Sequence, residues 1–190
     1  MTDADHQEFI VAAQAGDSAA FAQLLAQYYD TMFRFAWRWC GQRSDAEDIT
    51  QLACIKLAQS IRQFRFEAAF SSWLYRLVIN CAKDWHKSQN RHRHTPLNTY
   101  SLDEHTQQEP VREEAGEDTI YLRQVLRQLE EMAEGFKETA LLVHGEGLSH
   151  AEAAAVLQVK ESTVSWRLHE IRKQFQRLQQ NAESGWEAYP

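Results

Sequence analysis

The chain has 190 residues, a formal net charge of −7, 44% hydrophobic and 25% charged residues, and only seven glycines and three prolines. That length admits one ordinary domain or two small ones, and the composition excludes global disorder. Its first residues carry acids where a secretory signal needs basic ones, and no run approaches the roughly 18 apolar residues of a membrane span. Three cysteines, Cys40, Cys54 and Cys81, are an odd set without close pairing, read as small hydrophobes in a reducing compartment. The expectation is a cytoplasmic protein without direct membrane insertion.

Scarce glycine and proline, with abundant Ala, Gln, Leu, Glu and Arg, favour helices, and no alternating β-branched run is evident. The fold class is therefore all-α. In chain order, residues 1–95 form the first block. "GDSAAFAQLLAQYYDTMFRFAWRW" reads as a helix or helix pair dense in aromatics, broken at Gly41. "SDAEDITQ", Ser44 to Gln51, follows. Ser44 and Glu47 have capping-box spacing, and Asp45 and Asp48 suit the positive start of a helix. The same carboxylates also suit docking on a basic partner surface, and both readings stand.

The third strong helix is "SSWLYRLVINCAKDWHKSQ". At ~100° per residue, Trp73, Arg76, Asn80, Lys83 and Lys87 share one face, and Leu74, Val78, Cys81 and Trp85 form the apolar face. Just before it lies "FRFEAAF", with Phe64, Phe66 and Phe70 around Arg65. Aromatics interleaved with cations suit unpaired bases, which stack on rings while the backbone tracks positive charge. A solvated face with extra lysines would show similar residues, but an amide at Asn80 can read a base edge.

Residues 96–118 contain seven acids (Asp103, Glu104, Glu109, Glu113, Glu114, Glu117, Asp118) against Arg112, and two of the three prolines. About −6 of the net charge thus lies in a stretch with little apolar periodicity, which reads as a flexible acidic linker. It separates two small helical domains, each near neutral with a locally basic element.

The second block, 119–180, ends in the pattern of a helix-turn-helix. Ser149 and Glu152 make a capping box, so a short helix starts at His150 and ends near Leu157, and "QVKES" turns into a longer basic helix. On that helix Val164, Leu168, Ile171, Phe175 and Leu178 fall within about 80° and face the core. Trp166, His169, Lys173 and Arg177 lie opposite, with Ser165 and Arg172 on one flank and Arg167 on the other. Trp166, in the first turn, suits contact with sugars or a thymine methyl, and Arg172 and Lys173 suit phosphates. The tail, 181–190, carries no informative pattern.

Other chemistries find little support. His86, His92 and His94 in "HKSQNRHRH" lack metal-ligand spacing, and the basic segment repels cations. With no Gly-rich phosphate loop and no nucleophile triad, the expectation is no catalytic residue, no metal, no cofactor, no small-molecule substrate and no enzymatic activity. From the residues alone, a helix-turn-helix regulator that does not bind polymerase remains open.

"DAEDITQLACIKLAQSI", "FRFEAAFSSWLYRLVINCAKDW" and "LSHAEAAAVLQVKESTVSWRLHEIRKQF", in that order and spacing, resemble the extracytoplasmic-function (ECF) group of bacterial RNA polymerase sigma factors, within the sigma-70 family. The resemblance implies an alternative sigma factor that binds core RNA polymerase and directs promoter recognition and melting, held in check by an anti-sigma factor. It places Asp45, Glu47, Asp48 and Gln51 against the clamp of the largest polymerase subunit. Phe64, Arg65, Phe70, Trp73, Arg76, Asn80, Lys83 and Lys87 fall in the part that holds the melted −10 element. Ser162, Thr163, Ser165, Trp166, Arg167, His169, Arg172 and Lys173 fall in the −35 recognition helix. The acidic linker matches a segment that threads through polymerase and imitates nucleic acid.

Overall fold

The computed structural model describes residues 3–94 and 117–186; the expected linker, apart from Glu117 and Asp118, and the last residues of the tail lie outside the described residues. Every regular element among the described residues is helical. The first block comprises α1 (Asp3–Gln14), α2 (Ser18–Cys40), α3 (Arg43–Ser60), a 3₁₀ turn (Ile61–Gln63) and α4 (Phe70–His94). The second comprises α5 (Glu117–Glu131), α6 (Phe136–Ala140) continuing into a π-helical turn (Leu141–Gly145), α7 (His150–Leu157) and α8 (Glu161–Trp186).

Local chemistry sets most boundaries. The Asp17 carboxylate caps α2, accepting from the amides of Ala19 at 2.8 Å and Ala20 at 3.0 Å. Gly41 ends that helix in the left-handed region at φ 68°, its N–H donating to the Trp37 carbonyl, a conformation glycine adopts without a Cβ penalty. The chain then re-enters a helix at once, and this corrects the expected cap at Ser44. The N-cap of α3 is Gln42, without a side-chain cap, so Ser44 is already helical and its hydroxyl turns to Asp45. Glu47 instead pairs with Arg43 one turn back.

In the first block, α2 and α3 fold back on one another and α4 packs across both. Leu24, Met32, Phe35, Ile49, Leu57 and Val78 are fully buried between them; each such side chain stabilises the fold by roughly 1.5–3 kcal/mol relative to exposure. The apolar stripe of α4 is buried as expected at Leu74, Val78 and Cys81. Burial also extends beyond the stripe, to Leu77, Ile79 and Ala82.

The second block holds the expected helix-turn-helix. Ser149 and Glu152 cap α7 reciprocally, side chain to amide in both directions. Gln158 then turns the chain at φ 56° into α8. Val164, Leu168 and Ile171 bury against α6 and α7. Leu178 does not follow them and is 37% exposed, because α8 runs on past the short helices that could cover it. α5 begins at Glu117, two residues inside the expected linker.

Candidate nucleic-acid interface

The described part of the chain offers one concentrated aromatic surface beside a polar row. Its base is the turn between the 3₁₀ segment and α4. The Gln14 amide donates to the carbonyls of Ile61 at 2.9 Å and Phe64 at 2.7 Å, tying α1 to that turn. Phe64 then sits at the centre of a ring cluster, 4.9 Å from Phe66, 5.1 Å from Phe70 and 5.6 Å from Trp73, centroid to centroid. Tyr28 closes the far side, edge-on to Phe70 at 5.2 Å. Phe64 and Phe70 are buried, Trp73 is half-buried, and Phe66 stands outermost at 40% exposure.

Phe66 is one of the three phenylalanines expected around Arg65. Its φ of 59° places a bulky residue in the left-handed region, a conformation that costs of order 1–3 kcal/mol and clusters at functional sites. The sequence signal available for it was its alternation with Phe64 around Arg65, which is itself exposed.

The polar row along α4 is divided. Asn80 and Lys87 are exposed. Arg76 and Lys83 are held by the second block. Arg76 donates from Nε to the Val156 carbonyl at 2.9 Å and from Nη2 to the Ala155 carbonyl at 2.6 Å. Lys83 Nζ lies 2.9 Å from Glu134 and 2.8 Å from Glu138. The hydrogen bonds to both glutamates favour the charged ammonium and outweigh desolvation, so its pKa is raised.

Further contacts join the blocks. Arg38 bonds the Gly145 carbonyl at 2.6 Å and pairs with Glu146, whose other oxygen accepts from Tyr75 Oη at 2.9 Å. Burial and the nearby Glu146 charge push the Tyr75 phenol well above its usual range. Lys137, buried and paired with Glu130, lies 4.8 Å from the Trp39 ring centroid. An open cleft of about 640 Å³ between the blocks is lined by Trp39, Lys83, His86, Leu129, Glu134 and Lys137 among others.

On α3, Glu47, Asp48 and Gln51 are exposed and Asp45 is half-buried. Two apolar neighbours were missed by sequence reasoning: Leu52, 39% exposed, and Ile55, 55% exposed. Both lie with Asp48 and Gln51 on an arc of about 100°. The detectable signal was that Ile55 falls off the stripe of Ala46, Ile49, Ala53 and Leu57, which is buried.

On α8, Ser162, Ser165, His169, Arg172 and Lys173 are exposed and Thr163 is half-buried. Ser165 shares a 2.9 Å hydrogen bond with His150 Nδ1, joining the two helices of the motif. Trp166 is 54% exposed, yet its ring stands edge-on to Phe136 at 5.4 Å. Arg167 points inward rather than out: its guanidinium reaches Thr139 Oγ1 at 3.4 Å and lies over Gly135, where a Cβ would come within 2.4 Å. Gly135 has φ 89°, so the position favours glycine twice over. The inward position suits an orienting role for Arg167 better than base contact.

The cysteines are free, and burial raises the Cys40 and Cys81 thiols to about 11 and raises that of Cys54. Among the described residues no cluster of ligand-type side chains could hold a metal ion, and no helix is long and apolar enough to cross a membrane.

Residues 24–92, which carry both the α3 face and the aromatic surface, match the family model of sigma-70 region 2. Curated relatives extend the likeness over most of the chain. The ECF RNA polymerase sigma factor SigM of Mycobacterium tuberculosis (strain ATCC 25618 / H37Rv) is 31% identical over 174 residues, covering 90% of this chain and 83% of that protein. The ECF RNA polymerase sigma-E factor of Haemophilus influenzae is 28% identical over 176 residues, 88% of this chain and 91% of that protein. SigE of Mycolicibacterium smegmatis is 31% identical over 162 residues, and the match spans 62% of that relative's length. Two solved structures share the fold. CnrH, solved in complex with the cytosolic domain of CnrY, superposes with a TM-score of 0.64 at 21% identity, over 91% of this chain and 96% of that one. The sigma factor RpoE of Bartonella quintana, solved with the anti-sigma factor NepR, superposes at 0.58 with 20% identity, over 84% and 96% of the two chains. The chain belongs to the ECF group of RNA polymerase sigma factors.

Proposed function

We infer that the protein is an alternative sigma factor whose first block binds core RNA polymerase and holds unpaired −10 bases, while the second docks α8 in the −35 major groove. The observation that carries this reading is the ring cluster of Phe64, Phe66, Phe70 and Trp73 beside the amide and cations of α4. A base swung out of the duplex loses its stacking partners. An exposed ring edged by cations replaces them and neutralises the adjacent phosphates. Asn80 supplies an exposed amide next to that surface for a base edge.

The clamp surface is the exposed arc of α3. Asp48 and Gln51 give it charge and polarity, and Leu52 and Ile55 an apolar centre, the combination expected of a docking surface with a few dominant anchors. In the second block, Trp166, His169, Arg172 and Lys173 form the outward face of the recognition helix. Arg167 and the His150–Ser165 bond set its orientation. Domain limits of 1–95 and 119–180 fit this division, with the acidic segment between them entering polymerase channels.

The protein performs no covalent step. Melting is driven by captured bases and polymerase contacts in the cytoplasm, where polymerase and promoter DNA are found. Control by an anti-sigma factor fits the complex in which the Bartonella relative was solved. Run-off transcription tests the whole reading: core polymerase, this protein and a library of randomised promoter fragments. Initiation that depends on the protein, at templates sharing a pair of spaced motifs, is expected. DNA binding without initiation or core association would replace the reading with an ordinary helix-turn-helix regulator.

A further inference from the structure

We propose that Gln14, absent from every expected interface, is a positioning residue for strand binding: its amide fixes the turn that presents the Phe66 ring to an unpaired base. This rests on the reading of the ring cluster as a DNA surface. Residues 65–69, which include Arg65 and Phe66, are all exposed and lie between the buried Phe64 and Phe70. Phe70 opens α4, so that end of the segment is held by a long helix. At the other end the chain leaves a 3₁₀ turn of three residues, Ile61–Gln63, closed by the Phe64 N–H donating to the Ile61 carbonyl at 3.1 Å. So short a turn holds its own last carbonyls poorly.

Gln14 supplies the missing donors. Its Nε2 carries two hydrogens, and two carbonyls accept them: Ile61 at 2.9 Å and Phe64 at 2.7 Å. The Phe64 carbonyl belongs to the planar peptide that joins Phe64 to Arg65. Anchoring it sets the direction in which Arg65 and Phe66 leave the turn. Phe66 follows at φ 59°, a conformation that persists only where its surroundings over-determine it. A flexible arginine tolerates a displaced turn, but a stacking ring does not. The anchor is itself fixed. Gln14 is the last residue of α1, and Ile10 and Ala13 of that helix are buried. The amides of Ala15, Gly16 and Asp17 bond back to the carbonyls of Val11, Ala13 and Ala12. Through one side chain, α1 thereby governs a surface it does not itself form.

The test uses Gln14→Met in the full-length protein, which keeps the length of the side chain and removes both donors. Trypsin cleavage after Arg65, followed by mass spectrometry, should become about tenfold faster, since cleavage tracks the population of the opened segment. Affinity for a fluorescein-labelled random 12-nucleotide single strand should fall about tenfold, as expected when only a tenth of the molecules hold the competent turn. Core affinity should not change. In the Phe66→Asn background the same substitution should have no further effect on strand affinity, because Gln14 acts through that ring. Gln14→Glu, which turns oxygen toward both carbonyls, should reproduce the pattern. Unchanged cleavage after Arg65 overturns the proposal. So does an equal loss of strand affinity with and without the Phe66 ring, or a parallel loss of core affinity, which marks general damage to the fold. Run-off transcription by the wild type separates the two levels: if it initiates while Gln14→Met binds the strand normally, only the positioning role fails. A wild type that neither initiates nor binds the strand overturns the sigma reading and the proposal with it.

Discussion

Asn80 and Phe66 are the residues at which the proposed site can be tested most sharply, because neither is tied into the second block. Asn80 is an exposed amide between Arg76 and Lys83 on the row. Asn80→Ala should relax discrimination at one −10 position by about 1–3 kcal/mol, the worth of a good base contact, with core affinity unchanged. Selection from a randomised −10 library measures this, and an equal loss on all sequences would remove Asn80 from base reading. Phe66 is held at φ 59°, a conformation asparagine tolerates better than a large aromatic. Phe66→Asn should therefore keep or raise the melting temperature while weakening single-strand binding by about 1–3 kcal/mol for one lost stacking platform. A fall in stability with unchanged binding would mark the ring as structural. The thiols give a third check. With Cys40 and Cys81 at about 11, only about one in a thousand of either is thiolate at pH 8. Iodoacetamide should label them slowly in the native protein, faster as pH rises, and promptly after unfolding.

At the scale of elements, what could be read in the chain depended on how local the determinant was. The capping box at Ser149 and Glu152 involves residues three apart and nothing else, and it forms as expected. Ser149→Ala should destabilise the protein by about 1 kcal/mol, measurable by chemical denaturation. The same spacing at Ser44 and Glu47 forms no cap, because Gly41 ends α2 just ahead of it and α3 begins at Arg43. A motif of two residues cannot report where the previous helix stops. The burial of α8 was legible as far as Ile171, and misread at Leu178, since periodicity marks a face but not the length of what covers it. Ile55 shows the reverse: it departs from the buried stripe of its own helix, and that departure is the signal. Ile55→Asp should lower core affinity roughly 10- to 100-fold, the equivalent of losing a buried side chain worth about 1.5–3 kcal/mol, without altering the helical circular dichroism. Undiminished core binding would move the clamp surface elsewhere.

For the whole molecule, the division into two helical blocks and their order were legible, and the way they meet was not. Arg76 finds its acceptors 79 and 80 residues away, and Tyr75 finds Glu146 across 71. No local pattern distinguishes an arginine that will meet a helix end from one that will meet a phosphate, because both partners offer the same chemistry. The net charge misleads for a related reason: most of it lies in residues 96–118, so the acidity of the chain says little about the faces of its helices. The central claim, that the first block holds unpaired bases, is tested most directly by permanganate footprinting of thymines in the −10 region of an assembled promoter complex. Reactivity that requires this protein, and that falls when Phe66 is replaced by Asn, is the predicted result. A promoter complex that forms with core polymerase yet leaves the −10 thymines unreactive would contradict the account.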